Sequence, residues 1–211
     1  MNNFFRFLAD VKYDLLVPPQ GINYGEMTPK QAKESFEWFV ENIPERMDYF
    51  RNRCASDLKI SVEKLDYSKE SLVLVWQWFL KTARREKTPK EQIERMKPAA
   101  QIFGPSFINY EQFTVATHFI MRDIAMYVGQ YWTSNYPQLY WDYRTKPKDS
   151  VTVNQPIISG LRASYMGKEG AISFAPLHMV GVQAAKIFDK SAKKNDLLNV
   201  IMFWEQYIPN N

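Results

Sequence analysis

At 211 residues with a net charge of +4, the chain is long enough for one domain with its own core, or at most two small ones. A composition of 45% hydrophobic and 24% charged residues excludes a disordered tail, a collagen-like repeat and a coiled-coil rod. Cys54 is the single cysteine, which excludes a disulfide framework and a multi-thiolate metal site.

The longest charge-free stretch, 124–141, is interrupted by Gln130, Asn135, Pro137 and Gln138, and Met1-Asn2-Asn3-Phe4 does not begin a signal peptide. A soluble, cytoplasmic protein without membrane contact is therefore expected. Aromatic content is the outlying number, with 14 Phe, 12 Tyr and 6 Trp. Rings in this number predict a large aromatic core, with a ring-lined groove as the sharper alternative.

Residues 1–27 read as an arm, because Val17-Pro18-Pro19-Gln20-Gly21 suits neither helix nor central strand. Thr28-Pro29-Lys30-Gln31 reverses the signal: a capping threonine, proline at the first helical position and glutamine completing a capping box start a helix. Phe36, Phe39, Val40 and Ile43 carry its apolar stripe, and Pro44 is expected to kink it or to begin a second helix. Ser68 opens another helix, striped by Leu72, Val75, Trp76 and Phe79 and fraying near Lys87. A short helix over 89–96 and an irregular stretch at Phe103-Gly104-Pro105 follow. From Glu111 to Asn135 apolar residues occupy nearly every side, as in a helix at the centre of a domain.

After Pro137 the period becomes alternating. Tyr140 to Arg144 and Val151 to Asn154 predict a β-hairpin, Gln155-Pro156-Ile157-Ile158 a strand end, and Ala171 to Phe174 a third strand after a turn at Met166-Gly167. Two helices, 176–191 and 196–207, finish the chain. The expected fold is α+β and mainly α-helical, with about six helices around a central buried helix and a small antiparallel β-sheet in the C-terminal half. It is a single domain over 1–211, with the arm at 1–27, a helical part at 28–137, a β-meander at 138–175 and C-terminal helices at 176–211.

Several of these stretches resemble a family of uncharacterised small cytoplasmic bacterial proteins: 32–39 with Ile43-Pro44-Glu45-Arg46, 65–72 before Trp76-Gln77-Trp78-Phe79, 123–129, 141–147 and Asn154-Gln155-Pro156. The similarity spans most of the chain and implies a single-domain bacterial protein with no assigned catalytic residue. Some proteins of this general kind are regarded as immunity proteins of bacterial toxin systems. Related sequences often carry an acidic residue after the glycine matching Gly129; Gln130 stands there, which weakens an acid/base role at that position.

Candidate sites are few. No glycine-rich phosphate loop and no metal-ligand spacing is present, His118 and His178 being the two histidines, so no cofactor, metal or catalytic residue is assigned. Cys54 lies near Arg51 and Arg53 but reads as a half-buried thiol at a helix end. Asp123 falls within the most apolar helix, where a carboxylate needs a basic or hydrogen-bonding partner; it is either a structural tie or a functional site. Gly129 costs about 1 kcal/mol in a helix interior and predicts the close approach of another element, namely the hairpin carrying Trp141. Tyr127, Trp132, Tyr140, Trp141, Asn154 and Gln155 are the candidate walls of a pocket there. Between Lys81 and Lys97, seven basic residues face three acidic ones, a surplus equal to the net charge of the whole chain. Arg84, Arg85 and Lys87 are its candidate contact residues, although interleaved Glu91 and Glu94 also suit a solvated face.

The expected function is a non-enzymatic protein-binding factor, of the immunity or inhibitor kind, working as a monomer or homodimer. The alternatives are a small-molecule binder or enzyme using Asp123 and the Tyr140 to Asn154 hairpin, and nucleic-acid binding through 81–97, which ranks lowest.

Overall fold

The computed structural model describes residues 13–21 and 23–209. Among them are six α-helices, a two-stranded and a three-stranded antiparallel sheet, and short 3-10 turns, so the chain is mainly helical and α+β. Backbone contacts divide it into two compact units, one holding residues 82–120 and the other 16–81 with 121–211. No helix among the described residues is long and apolar enough to cross a membrane. Of the arm expected over 1–27, residues 1–12 and 22 lie outside the described residues, and the rest is irregular apart from a 3-10 turn at Tyr24–Glu26.

The larger unit starts with α1 (Pro29–Leu58), capped as its sequence predicts. Thr28 accepts a hydrogen bond from the Gln31 amide, and the Gln31 side chain takes the Thr28 amide at 2.9 Å. Pro44 begins no second helix. Phe39, Ile43, Met47, Phe50 and Cys54 form one buried face on both sides of it, and burial of that face outweighs the roughly 3 kcal/mol that proline costs inside a helix. Ser68 caps α2 (Lys69–Thr82) through the Ser71 amide, and Leu72, Val75, Trp76 and Phe79 are all buried.

The three-stranded sheet has the order β3-β4-β5, with β3 at Tyr140–Tyr143, β4 at Pro156–Tyr165 and β5 at Lys168–Phe174. Trp141 pairs with Ile158. The partner of β3 is therefore not Val151–Asn154, which is a turn. There Ser150 ties down the Thr152 amide through its hydroxyl and the Val153 amide through its carbonyl, and Asn154 adopts φ 61° and gives its amide to the Arg144 carbonyl. Local bonds have taken the donors a strand would need. Met166 and Gly167, at φ 50° and 74°, make the tight turn between β4 and β5, as a two-residue hairpin requires. Gly160, at φ 105°, sits in the irregular stretch of β4 between Ile158 and Leu161, where an added Cβ would lie 2.4 Å from the Gln138 carbonyl. Helices α5 (Pro176–Ala185) and α6 (Asp196–Glu205) complete the unit, and the predicted helix to residue 191 ends early in turns.

The smaller unit pairs β1 (Arg85–Lys87) with β2 (Glu111–Phe113), Glu86 opposite Gln112. Between them in sequence lies α3 (Lys90–Phe103), which runs seven residues, nearly two turns, past the end of the predicted 89–96 helix; it passes Pro98 and stops at Gly104, whose φ is 99°. The helix predicted from Glu111 begins later, as α4 (Val115–Asn135). Thr114 accepts the Thr117 amide at 3.3 Å and acts as the cap, which leaves Glu111–Phe113 to the strand.

Candidate functional site

Asp123 is fully enclosed on α4. Its Oδ2 accepts hydrogen bonds from Arg46 Nε at 2.9 Å and Nη2 at 2.7 Å, and Arg46, on the buried face of α1, lies over the Tyr49 ring at 4.5 Å. Arg122 is also buried: it donates to the Leu16 carbonyl, stands 5.6 Å from the Trp38 ring, and has Nη2 at 3.9 Å from Asp123 Oδ1. One carboxylate thus lies between two guanidinium groups, away from solvent. A carboxylate held in this way ties helix to helix and is poorly placed to accept a substrate's proton.

Gly129 answers the sequence argument directly. A Cβ at this position would lie 1.8 Å from the Trp141 ring, so β3 approaches α4 as closely as glycine permits. Trp141 also meets Phe39 edge to face at 5.1 Å. The other proposed walls point elsewhere. Tyr127 is buried beside Phe50 and Tyr67, donates to Ser71 Oγ at 2.7 Å and accepts the Tyr67 amide at 3.1 Å; burial pushes its hydroxyl up to about 12. Trp132 packs on Phe174 and Tyr136. Tyr140 is exposed. Asn154 donates to the carbonyls of Tyr24 and Met27, and Gln155 to that of Val151. These six residues are spread over separate contacts and do not converge on one pocket.

The thiol of Cys54 is buried, and that burial, reinforced by Asp57 and Asp123, holds its pKa far above the ordinary value. It is a core residue and no nucleophile. Burial lowers the pKa of His118 against the opposing pull of Glu86. Among the described residues no group of three or more His, Cys, Asp or Glu side chains could hold a metal.

In the smaller unit, Arg84, Arg85 and Lys87 are all exposed. Arg84 folds back onto the carbonyls of Thr82 and Ala83, Arg85 pairs with Glu111 at 3.0 Å across the two strands, and Lys87 stands opposite Glu111 in the register. Lys97 pairs with Glu94 on α3. What sequence reasoning missed lies next to them. Not one residue of α3 is buried, and Ile102, Phe103, Phe107 and Tyr110 are 77%, 69%, 48% and 64% exposed. The Phe103 and Phe107 rings touch, with centroids 5.5 Å apart. A signal was present: five large apolar residues within nine, Ile102, Phe103, Phe107, Ile108 and Tyr110, set among Gly104, Pro105 and Ser106 and continuing no helical or alternating period.

Neither a protein family nor a curated protein nor a solved structure matches the chain.

Proposed function

We propose that the chain is a non-enzymatic protein-binding factor of the immunity or inhibitor kind, working in the bacterial cytoplasm as the resemblance implies, and that the exposed face of its smaller unit meets the partner. The observation that carries this reading is the run from Ile102 to Tyr110, four large apolar side chains in water at the end of a helix with no buried residue. Folding gains nothing from leaving them there, and covering them removes apolar surface worth about 25 cal/mol per Å². Arg84, Lys87, Lys90 and Arg95 are exposed in the same unit and would steer the partner. The partner chemistry that fits is a protein with an apolar pocket and an acidic rim.

The test compares the full chain with a Phe103→Ser, Phe107→Ser variant as bait, at physiological salt and after nuclease treatment. A protein held by the wild type, released by the variant, and bound in equimolar ratio when purified supports the reading. Relief of that protein's toxicity on co-expression gives the immunity function. Equal retention by both baits overturns it, and so does binding that depends on nucleic acid and falls steeply with salt.

A further inference from the structure

The larger unit carries a groove of about 280 Å³ between α5 and α6 that takes no part in the surface proposed on the smaller unit. Gln183 and, just past the helix end, Lys186 line it from α5; Asp196, Asn199, Phe203 and Trp204 line it from α6. Lys186 and Asp196 pair at 3.2 Å where the two helices are joined. The polar side chains therefore gather at that end of the groove and the two rings at the other.

Gln183 is more than nine-tenths buried, and among the described residues its side-chain oxygen accepts no hydrogen bond. A buried acceptor left empty works against folding, and what it lacks is a donor. The charges around it decide which kind. An anion finds no open cation, because Asp196 already engages the ammonium of Lys186. A cation finds no open carboxylate, since Asp196 holds Lys186 on one oxygen and accepts the Lys193 amide at 2.7 Å on the other. Segment 186–196 also carries Lys186, Lys190, Lys193 and Lys194 against Asp189 and Asp196, a surplus that repels positive charge. A neutral donor is the kind that remains. At the other end Phe203 is 58% exposed beside Trp204, apolar surface that a flat ring would cover.

We infer that this groove binds a flat apolar ring bearing a neutral N–H donor, of the indole kind, the ring laid over Phe203 and Trp204 and its N–H given to the side-chain oxygen of Gln183. The terminal torsion of a glutamine is soft, so the amide can turn its oxygen toward a ligand in the groove. The volume sits at the small end of ligand pockets, which suits one pair of fused rings. A free indole-like compound and the tryptophan side chain of a protein share this chemistry.

The experiment is an NMR titration of the isotope-labelled full chain with indole, with benzofuran, and with the capped peptide acetyl-Gly-Trp-Gly-amide. Saturable shifts of the Gln183 side-chain amide and of the Phe203 and Trp204 signals are expected with indole or the peptide. Benzofuran keeps the shape of indole and lacks its donor, so it should bind about fivefold more weakly, the worth of one neutral hydrogen bond. Binding of indole without the peptide identifies a free small molecule as the source, and binding of the peptide a tryptophan on a partner protein. Gln183→Met removes the acceptor and keeps the length of the side chain; it should abolish the preference for indole and leave the affinity for benzofuran within about twofold. Should that variant fail to fold, Phe203→Ser, at an exposed position, should weaken indole and benzofuran alike. Absence of saturable shifts at the groove below about 1 mM for both indole and the peptide, an affinity for benzofuran equal to that for indole, or a preference for indole that survives in Gln183→Met overturns the assignment.

Discussion

Two helices, each with a run of large apolar residues, meet opposite fates. Along α4, Phe119, Ile120, Ile124, Met126, Tyr127, Val128, Tyr131 and Trp132 are all buried, together with Arg122 and Asp123. Along α3 nothing is buried, although Ile93, Met96, Ile102 and Phe103 are as apolar. The two differ in how many apolar sides they present and in how their charges are met. On α4 the two charged residues have partners that travel with the fold, Arg46 from α1 and the Leu16 carbonyl. On α3 the charges, Lys90, Glu91, Glu94, Arg95 and Lys97, gather on one side, and Ile93, Met96, Ala100 and Phe103, at three- and four-residue spacing, make an apolar face of which no residue is buried. The first helix is built into the core and the second is left for something else to cover.

The comparison breaks most sharply at the Arg46–Asp123 pair. Asp123→Ala would leave a buried guanidinium without its carboxylate, and a loss of about 3–5 kcal/mol in chemical denaturation is expected. Asp123→Asn, which keeps the shape and part of the bonding, should lose less. The pair replaced together, as Arg46→Met with Asp123→Leu, should recover most of the loss, because desolvation of two ions disappears with their attraction. If Asp123→Ala unfolds at the wild-type denaturant concentration, α4 does not owe its position to this tie.

The next effect in size is at Gly129. Alanine there would improve helix propensity by about 1 kcal/mol, but its Cβ would stand 1.8 Å from the Trp141 ring. Overpacking of this kind costs about 1–3 kcal/mol, so a net loss is expected in the melting curve. Combining Gly129→Ala with Trp141→Leu should remove the clash and separate it from the backbone effect.

A smaller effect concerns acid. Burial raises the pKa of Glu205, but hydrogen bonds from Lys69, Tyr131 and Tyr136 outweigh it and hold the carboxyl below its ordinary value. The unfolded chain then binds this proton more readily than the folded one, so stability rises with pH across the interval between the two values. The contribution is complete above the ordinary carboxylate range and fades as the pH falls through the depressed value. Glu205→Gln should cost about 1 kcal/mol near neutrality and flatten the acid limb of the stability profile. An unchanged acid limb would show that the cluster contributes nothing.

The sequence made some of this legible and concealed the rest for a physical reason. The cap at Thr28, the enclosure of Asp123 and the approach of Trp141 to Gly129 each follow from a residue that is costly in its place without one particular partner. Strands β1 and β2 have no such residue. Three residues carry no period, and their pairing is set by a partner some 25 positions away, so Arg85–Lys87 looked like a fraying helix end and Glu111–Phe113 like a helix start. The same distance problem hid the true neighbour of β3, because Val151–Asn154 alternates as a strand does but spends its donors on its own turn. The exposure of Phe103 and Phe107 was hidden differently: apolar residues in a sequence read as interior until the fold is seen to leave them out.

The smallest effect belongs to the basic strand, and it divides by residue. A uniformly solvated face would tolerate reversal of Arg84, Arg85 and Lys87 to Glu within about 0.5 kcal/mol. The register refines this. Arg84 is exposed and its guanidinium donates to the carbonyls of Thr82 and Ala83, so Arg84→Glu should stay within that margin. Lys87 faces Glu111 directly, and Arg85 bonds to the same carboxylate. Glutamate at either position brings like charges together on a two-stranded sheet with few other ties, at a cost of about 0.2–1 kcal/mol each. Adding Glu111→Lys to the Arg85→Glu, Lys87→Glu variant restores opposite signs and should recover the loss, which a pair of thermal melts with and without added salt would measure. Recovery would assign the charge pattern of β1 and β2 to strand pairing. If instead the reversals leave stability untouched, these arginine and lysine side chains serve contact with a partner alone, and the exposed face of the smaller unit extends from α3 onto the strands.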